Sequence, residues 1–189
     1  MQRAAAPSPA LDIRELSIND IGKMLEIMYV SRAGLQKRFL RGERCFAVMD
    51  NDKIMGFFWA QFGLKCLKEL RLRFNLAPNQ TWMYNAITVK AARGQGLYPN
   101  IIRYMAKVLS DSGIEQAFVD VKMSNVASCR GLEKAGFTRV AIINMRKVLS
   151  SVKYRLAVLD NKAWQGLSDT IEDIGQIRLQ YVSEQNICP

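Results

Sequence analysis

The sequence contains no histidine. That removes the commonest general base, the usual metal ligand and every triad that depends on imidazole, so proton transfer must use carboxylate, phenol, amine or water. Cysteine is sparse. Cys45, Cys66, Cys129 and Cys188 are widely spaced and form no CxxC pair, which argues against a zinc site or a disulfide framework and for reduced thiols, mostly in the core. No metal is expected. Long apolar runs are missing as well: the longest, Ile54 to Ala60, is far below the ~20 residues of a membrane span, and the first residues lack a signal peptide's apolar centre. The expectation is a cytoplasmic protein with no membrane contact. Nucleotide fingerprints are incomplete, because there is no GxxxxGK[ST] and Pro99 stands where a dinucleotide loop would carry its third glycine.

What is present is a chain of 189 residues, 49% hydrophobic, enough for one well-buried domain and short for two. Its net charge of +10 points to a polyanionic partner: nucleic acid, an acidic protein, or a cofactor with several phosphates. Residues 1–10, MQRAAAPSPA, read as a disordered leader, 11–160 as the folded domain, and 161–189 as a C-terminal helical extension packed on it.

Ile18, Ile21, Met24, Leu25 and Met28 recur at helical spacing behind the N-cap Ser17, and a second helix follows over 32–41. Two strands, Arg44 to Met49 and Ile54 to Phe62, flank the turn Asp50-Asn51-Asp52-Lys53. Leu64, Leu67, Leu70 and Phe74 predict a helix over 64–77 with its basic residues facing solvent. Thr81 to Val89 reads as a strand and leads through KAARGQGLYPN into a helix marked by Ile101, Ile102, Met105, Val108 and Leu109. A strand over Gln116 to Lys122, a helix over Val126 to Lys134, two strands over 137–145 and 153–159, and an amphipathic helix from Trp164 to Tyr181 complete a mixed α/β pattern.

The strand-loop-helix junction is the informative place. A glycine turn there sets backbone N–H groups at the positive end of a helix dipole, which suits phosphate, and Gly94 and Gly96 let it approach. A lone GxG is more often an ordinary turn. The second segment, NVASCRGLEKAGF from Asn125, changes the balance. Together, TVKAARGQGLYPNII and NVASCRGLEKAGF resemble the GCN5-related N-acetyltransferase superfamily over residues 11–159, and the second segment is most similar to the branch containing ribosomal-protein N-terminal acetyltransferases. The sequence departs from the family at Ala91, where Gln or Arg is usual, and at Lys90, where proline is common.

The resemblance implies an acyl-CoA N-acyltransferase fold, with a mixed, mostly antiparallel sheet flanked by helices, and acetyl-CoA or another acyl-CoA as co-substrate. It places the pyrophosphate on the loop residues Arg93, Gly94, Gln95, Gly96, Leu97 and Tyr98, next to Thr88 and Val89, and the pantetheine arm on Asn125 and Ser128. The plainer alternative for Asn125 is a helix N-cap. Asp120, five residues before that asparagine, is implied as the base that deprotonates the acceptor, against the alternative of a solvent-facing strand residue. The family's usual acidic tyrosine is replaced by Leu132, so Tyr84, or Tyr98, is the candidate donor to the leaving thiolate, against simple aromatic packing. The acceptor is expected to be a small-molecule amine, an amino sugar or a protein N-terminus. Lys65, Lys68 or Arg71 would recognise an acidic one. An oligomer is left open. Competing readings are a non-catalytic acyl-CoA-binding sensor and, on charge alone, a nucleic-acid-binding module.

Overall fold

The computed structural model describes residues 11–67, 72–148, 151–168, 171–173 and 180–181. The expected leader at 1–10, and Lys68, Leu70 and Arg71, lie outside them. In chain order the elements are β1 (Asp12–Leu16), α1 (Ile21–Met24), α2 (Arg32–Leu40), β2 (Arg44–Asp50), β3 (Lys53–Gln61), β4 (Leu64–Leu67), β5 (Leu72–Asn75) and β6 (Gln80–Thr88). They continue with α3 (Leu97–Asp111), β7 (Gln116–Val119), α4 (Val126–Lys134), β8 (Ala141–Val148), β9 (Ser151–Val158), α5 (Asn161–Ser168), β10 (Ile171–Asp173) and β11 (Gln180–Tyr181).

The central sheet has the order β1-β2-β3-β6-β7. Its first four strands run antiparallel and β7 lies parallel to β6, which requires the α3 crossover between them. On one face, Leu97, Ile101, Ile102, Met105 and Leu109 of α3 pack on Phe46, Val48, Phe58, Ala60 and Met83. On the other, Met24 and Leu35 of α1 and α2 cover Cys45, Phe57 and Trp59. Alternate residues of β3 serve opposite faces, as strand geometry demands. Pro99 falls in the first turn of α3, where the missing N–H has no helical acceptor to lose.

Several elements differ from the sequence reading. Ser17 forms the expected capping box, its hydroxyl accepting from Asn19 N–H at 3.2 Å while the Asp20 carboxylate accepts from Ser17 N–H at 2.8 Å. The helix it starts is only a 3-10 turn and α1, and helical bonding ends with Met28 N–H to Met24 O at 2.9 Å. β1 was not foreseen, since three of its five residues are charged and only Leu16 is buried. Its edge is fixed by Arg44, which donates to both Glu15 oxygens at 2.7 and 2.6 Å.

The expected helix over 64–77 is instead the β4–β5 hairpin, with Lys65 opposite Phe74. Leu72, Phe74 and Leu76 are buried at every second position, and Phe74 packs on Trp82 with ring centroids 4.9 Å apart. Period two is satisfied by a tertiary partner that the 3–4 spacing of the leucines concealed. The C-terminal helix also stops early, at Ser168. Ile171 belongs to β10, which pairs with β5, and Tyr181 to β11, parallel to β9. The strand expected through Lys122 ends at Val119, which proves to be what opens the cleft described next.

Candidate functional site

β6 and β7 are in register only from Gln80–Gln116 to Met83–Val119. Beyond Met83 the strands part. β6 is bulged there: Trp59 pairs with Tyr84 and Phe57 with Ile87, so Asn85 and Ala86 together face Phe58 alone. Asn85 takes up the extra residue at φ +51°, a left-handed backbone that Asn tolerates better than most residues. On the other side the chain leaves β7 at Asp120, turns through Asn125 N–H to Lys122 O at 2.8 Å, and enters α4.

Between the diverging strands lies a cleft of about 550 Å³. Five residues singled out from the sequence meet in its wall: Tyr84, Tyr98, Asp120, Asn125 and Ser128. Thr88, Val89 and the glycine loop stand apart from that wall, at the end of β6 and the start of α3. Gly94 and Gly96 have φ of +78° and +72°. No atom lies within 4 Å of a Cβ placed on Gly94, and only Asn100 Nδ2, at 3.9 Å, near one placed on Gly96. Glycine is therefore required here by backbone conformation, with open space left outside the loop. The amides from Gly94 to Tyr98 find no backbone acceptor among the described residues. Arg93 turns its side chain back on the strand end, Nε donating to Thr88 O at 3.2 Å, and Gln95 donates to Ala91 O at 3.3 Å. The Leu97 side chain is core, so this residue offers only its amide.

Tyr98 joins the loop to α4. Its ring stacks on Phe58 at 5.6 Å and 25°, and its hydroxyl meets Ser128. Burial pushes the phenol up to about 12, while the Ser128 bond opposes the shift. Gly131 is small because the ring occupies its side-chain space, an added Cβ lying 2.4 Å from Tyr98 Cδ1. Gly131→Ala should thus cost about 1–3 kcal/mol, seen as a fall of several degrees in Tm on thermal unfolding, together with weaker acetyl-CoA binding as Tyr98 is displaced.

Asn125 is the N-cap of α4, its Oδ1 accepting from Ser128 N–H at 3.2 Å. The cap uses the amide's acceptor and leaves its donor for a second partner at the cleft. Asp120 lies one residue past β7, where its Oδ1 accepts from Trp82 Nε1 at 2.8 Å. It is exposed and lines the cleft, with one carboxylate oxygen oriented by β6. Tyr84 donates its hydroxyl to Glu43 Oε2. Glu43, only 6% exposed, accepts on Oε1 from Arg41 Nε and Nη2 at 2.8 and 2.5 Å. Burial, and then the Glu43 bond, push the Tyr84 phenol far up, so it stays protonated with that proton aimed at Glu43. Leu132, at the family's tyrosine position, is in the core.

Around Tyr84 the structure adds residues whose role the sequence reading did not identify. The Arg38 guanidinium sits 5.2 Å from the Tyr84 ring centroid and 5.0 Å from that of Trp59. With the Asn85 amide oriented by this network, its oxygen accepts from Arg38 Nη1 at 2.8 Å. Lys65 Nζ lies 4.5 Å from the Tyr84 ring centroid. Of the basic residues proposed as acceptor contacts, Lys65 thus comes against the site, while Lys68 and Arg71 lie outside the described residues. Glu43 and Arg38 carried no local signal, since only the fold brings the end of α2 and the start of β2 against β6. Among the described residues no cluster of His, Cys, Asp and Glu could hold a metal ion, and no helix is long and apolar enough to cross a membrane.

Comparison with known proteins gives a consistent result. The profile of the acetyltransferase (GNAT) family matches residues 19–137. No curated protein sequence matches significantly. Among solved structures, an aminoglycoside acetyltransferase, meta-AAC0020 from an uncultured soil metagenomic sample, in complex with sisomicin, is similar at TM-score 0.56 and 15% identity, covering 74% of this chain and 97% of that one. The aminoglycoside N-acetyltransferase AAC(6')-Iy, in complex with a bisubstrate analogue, gives TM-score 0.55 at 15% identity over 73% and 98% of the two chains. A Trypanosoma brucei acetyltransferase gives 0.50 at 17% identity over 75% and 99%. At these identities the likeness is one of fold.

Proposed function

The chain belongs to the acetyltransferase (GNAT) family and has its fold, and on that premise we propose that it moves an acyl group, acetyl in the first instance, from acyl-coenzyme A to an amine by direct attack on the thioester. The observation that carries this reading is the parting of β6 from β7 beside a two-glycine, left-handed loop at the start of α3. That arrangement would supply a phosphate cradle and, next to it, a cleft of about 550 Å³ for the pantetheine arm. In this reading the amides from Gly94 to Tyr98 hold the pyrophosphate, the Arg93 N–H being given to Lys90 O. Asn125 and Ser128 take the pantetheine.

A bulge withdraws main-chain donors from the strand ladder, and at Asn85 and Ala86 it does so in the cleft wall, where an oxyanion formed from the thioester needs them. Asp120 accepts the proton of the amine. Tyr84 has its proton committed to Glu43, so its role is to shape the acceptor end. Tyr98 is the phenol on the coenzyme A side of the cleft and takes the place of Leu132 in protonating the thiolate. The acceptor is a small-molecule amine, an amino sugar or, given the branch that Asn125 to Phe137 resembles, a protein N-terminus.

Thiol release from acetyl-CoA, measured with a panel of such amines and with mass detection of the acetylated product, tests this. Release above the rate of hydrolysis with at least one amine is the expected result. Binding of acetyl-CoA with no release for any amine would favour the sensor reading, for which the aliphatic Leu132 in the core is the motivating observation.

A further inference from the structure

Two cations, Lys65 and Arg38, stand against Tyr84, and neither forms an ion pair with a carboxylate among the described residues. Lys65 is 7% exposed, yet its one hydrogen bond among the described residues is to Gln61 Oε1 at a long 3.4 Å, and otherwise it faces the rings of Tyr84 and Trp82. Arg38 is half-buried and gives its hydrogen bond to the Asn85 amide, with no ion pair among the described residues. Of the basic side chains nearby, Arg41 is matched by Glu43 and Arg44 by Glu15. Among the described residues the acids that act on Lys65 are Asp120 and Glu43, and Glu43 is already bonded to Arg41 and Tyr84. Asp120 is turned to Trp82.

A buried ammonium held by one long hydrogen bond and two aromatic faces is costly unless a counter-charge arrives. Burial accordingly lowers the Lys65 pKa, against the pull of Asp120 and Glu43. The residues these cations touch, Tyr84 and Asn85, line the cleft at its bulged wall, across from Asp120. An amine delivered to Asp120 would therefore carry its neighbouring substituent to a positively charged corner.

Resting on the acyltransferase reading above, we infer that the acceptor is a small amine that bears an anionic group, carboxylate or phosphate, within a few bonds of its nitrogen, with Lys65 and Arg38 as the anion's anchors. The same corner disfavours polycations such as sisomicin, the ligand of one similar structure.

The test is calorimetric titration of coenzyme A-loaded protein with matched pairs: glutamate against glutamine, glucosamine 6-phosphate against glucosamine, and sisomicin. At least one anionic member is expected to bind about tenfold or more tightly than its neutral partner, and the pair that shows it tells carboxylate from phosphate. Lys65→Met and Arg38→Gln should each reduce that preference to about twofold with coenzyme A affinity unchanged. Should the buried Lys65→Met fail to fold, Arg38→Gln, at a half-buried side chain, carries the test alone. Failure of both anionic amines to bind better than their neutral partners, equal or tighter binding of sisomicin, or a preference untouched by Arg38→Gln would overturn the inference and leave the acyltransferase reading standing. Absence of coenzyme A binding in the wild type would instead defeat that reading, and the inference with it.

Discussion

Gly96→Glu is expected to abolish acetyl-CoA binding, turning a measurable titration into one with no detectable heat, a loss of about a hundredfold or more. Three effects act together. The residue has φ +72°, so any side chain costs about 1–2 kcal/mol of backbone strain. The new carboxylate would lie at the N-terminus of α3, where it competes for the donors and the dipole that suit phosphate. It also repels the pyrophosphate directly. Nothing nearer than Asn100 Nδ2 at 3.9 Å stands in the way of a side chain, so the bulk falls on the ligand and not on the protein core. Gly96→Ala separates these contributions: it bears the strain without the charge and should weaken binding by far less. Calorimetry with acetyl-CoA, with thermal unfolding as the control for fold, measures both. Loss confined to Gly96→Glu in a folded protein supports the phosphate-loop assignment. A folded wild type that does not bind acetyl-CoA would refute it.

Gly94, Gly96 and Asn125 were legible in the sequence because each answers a local demand of the backbone. Left-handed φ asks for glycine, and a helix start asks for a short polar acceptor. The period of α3 was legible for the same reason, one face of Ile101, Ile102, Met105 and Leu109 being enough to set it. The pairing of β4 with β5 was not, because it is decided by tertiary packing: Leu72 and Phe74 join a cluster with Trp82 and with Phe118 and Trp164, far along the chain. β1 was hidden by its charges and exists by pairing with β2. The acceptor end was hardest to see. Arg38, Glu43, Lys65 and Tyr84 come from four separate elements or turns, and each alone is an unremarkable charged or aromatic residue. Only the bulge at Asn85 and the stop at Val119 bring them beside Asp120, and an asparagine inside an aromatic strand is a faint mark of that event.

Asp120→Asn is expected to lower kcat by about 10²–10⁴-fold while leaving acetyl-CoA affinity within about twofold. The substitution is nearly isosteric, and an Asn oxygen can still accept from Trp82 Nε1, so the 2.8 Å bond that orients the side chain survives. What is lost is the ability to take a proton. In a chain without histidine, Glu43, the other carboxylate at the acceptor end among the described residues, is enclosed by Arg41 and Tyr84 and cannot replace it without dismantling that cluster. If Asp120 served only to fix Trp82, Asn would preserve that service, and kcat and Tm would both stay near wild type. If it is the base, kcat falls with Tm unchanged, and raising the pH should partly restore the rate, because a larger fraction of the amine then arrives already deprotonated. Rates of thiol release across a pH series for both proteins, with the acceptor found in the amine panel, decide between the two. A wild-type rate in Asp120→Asn at neutral pH would remove Asp120 from the chemistry and return it to the packing of β6 against the end of β7.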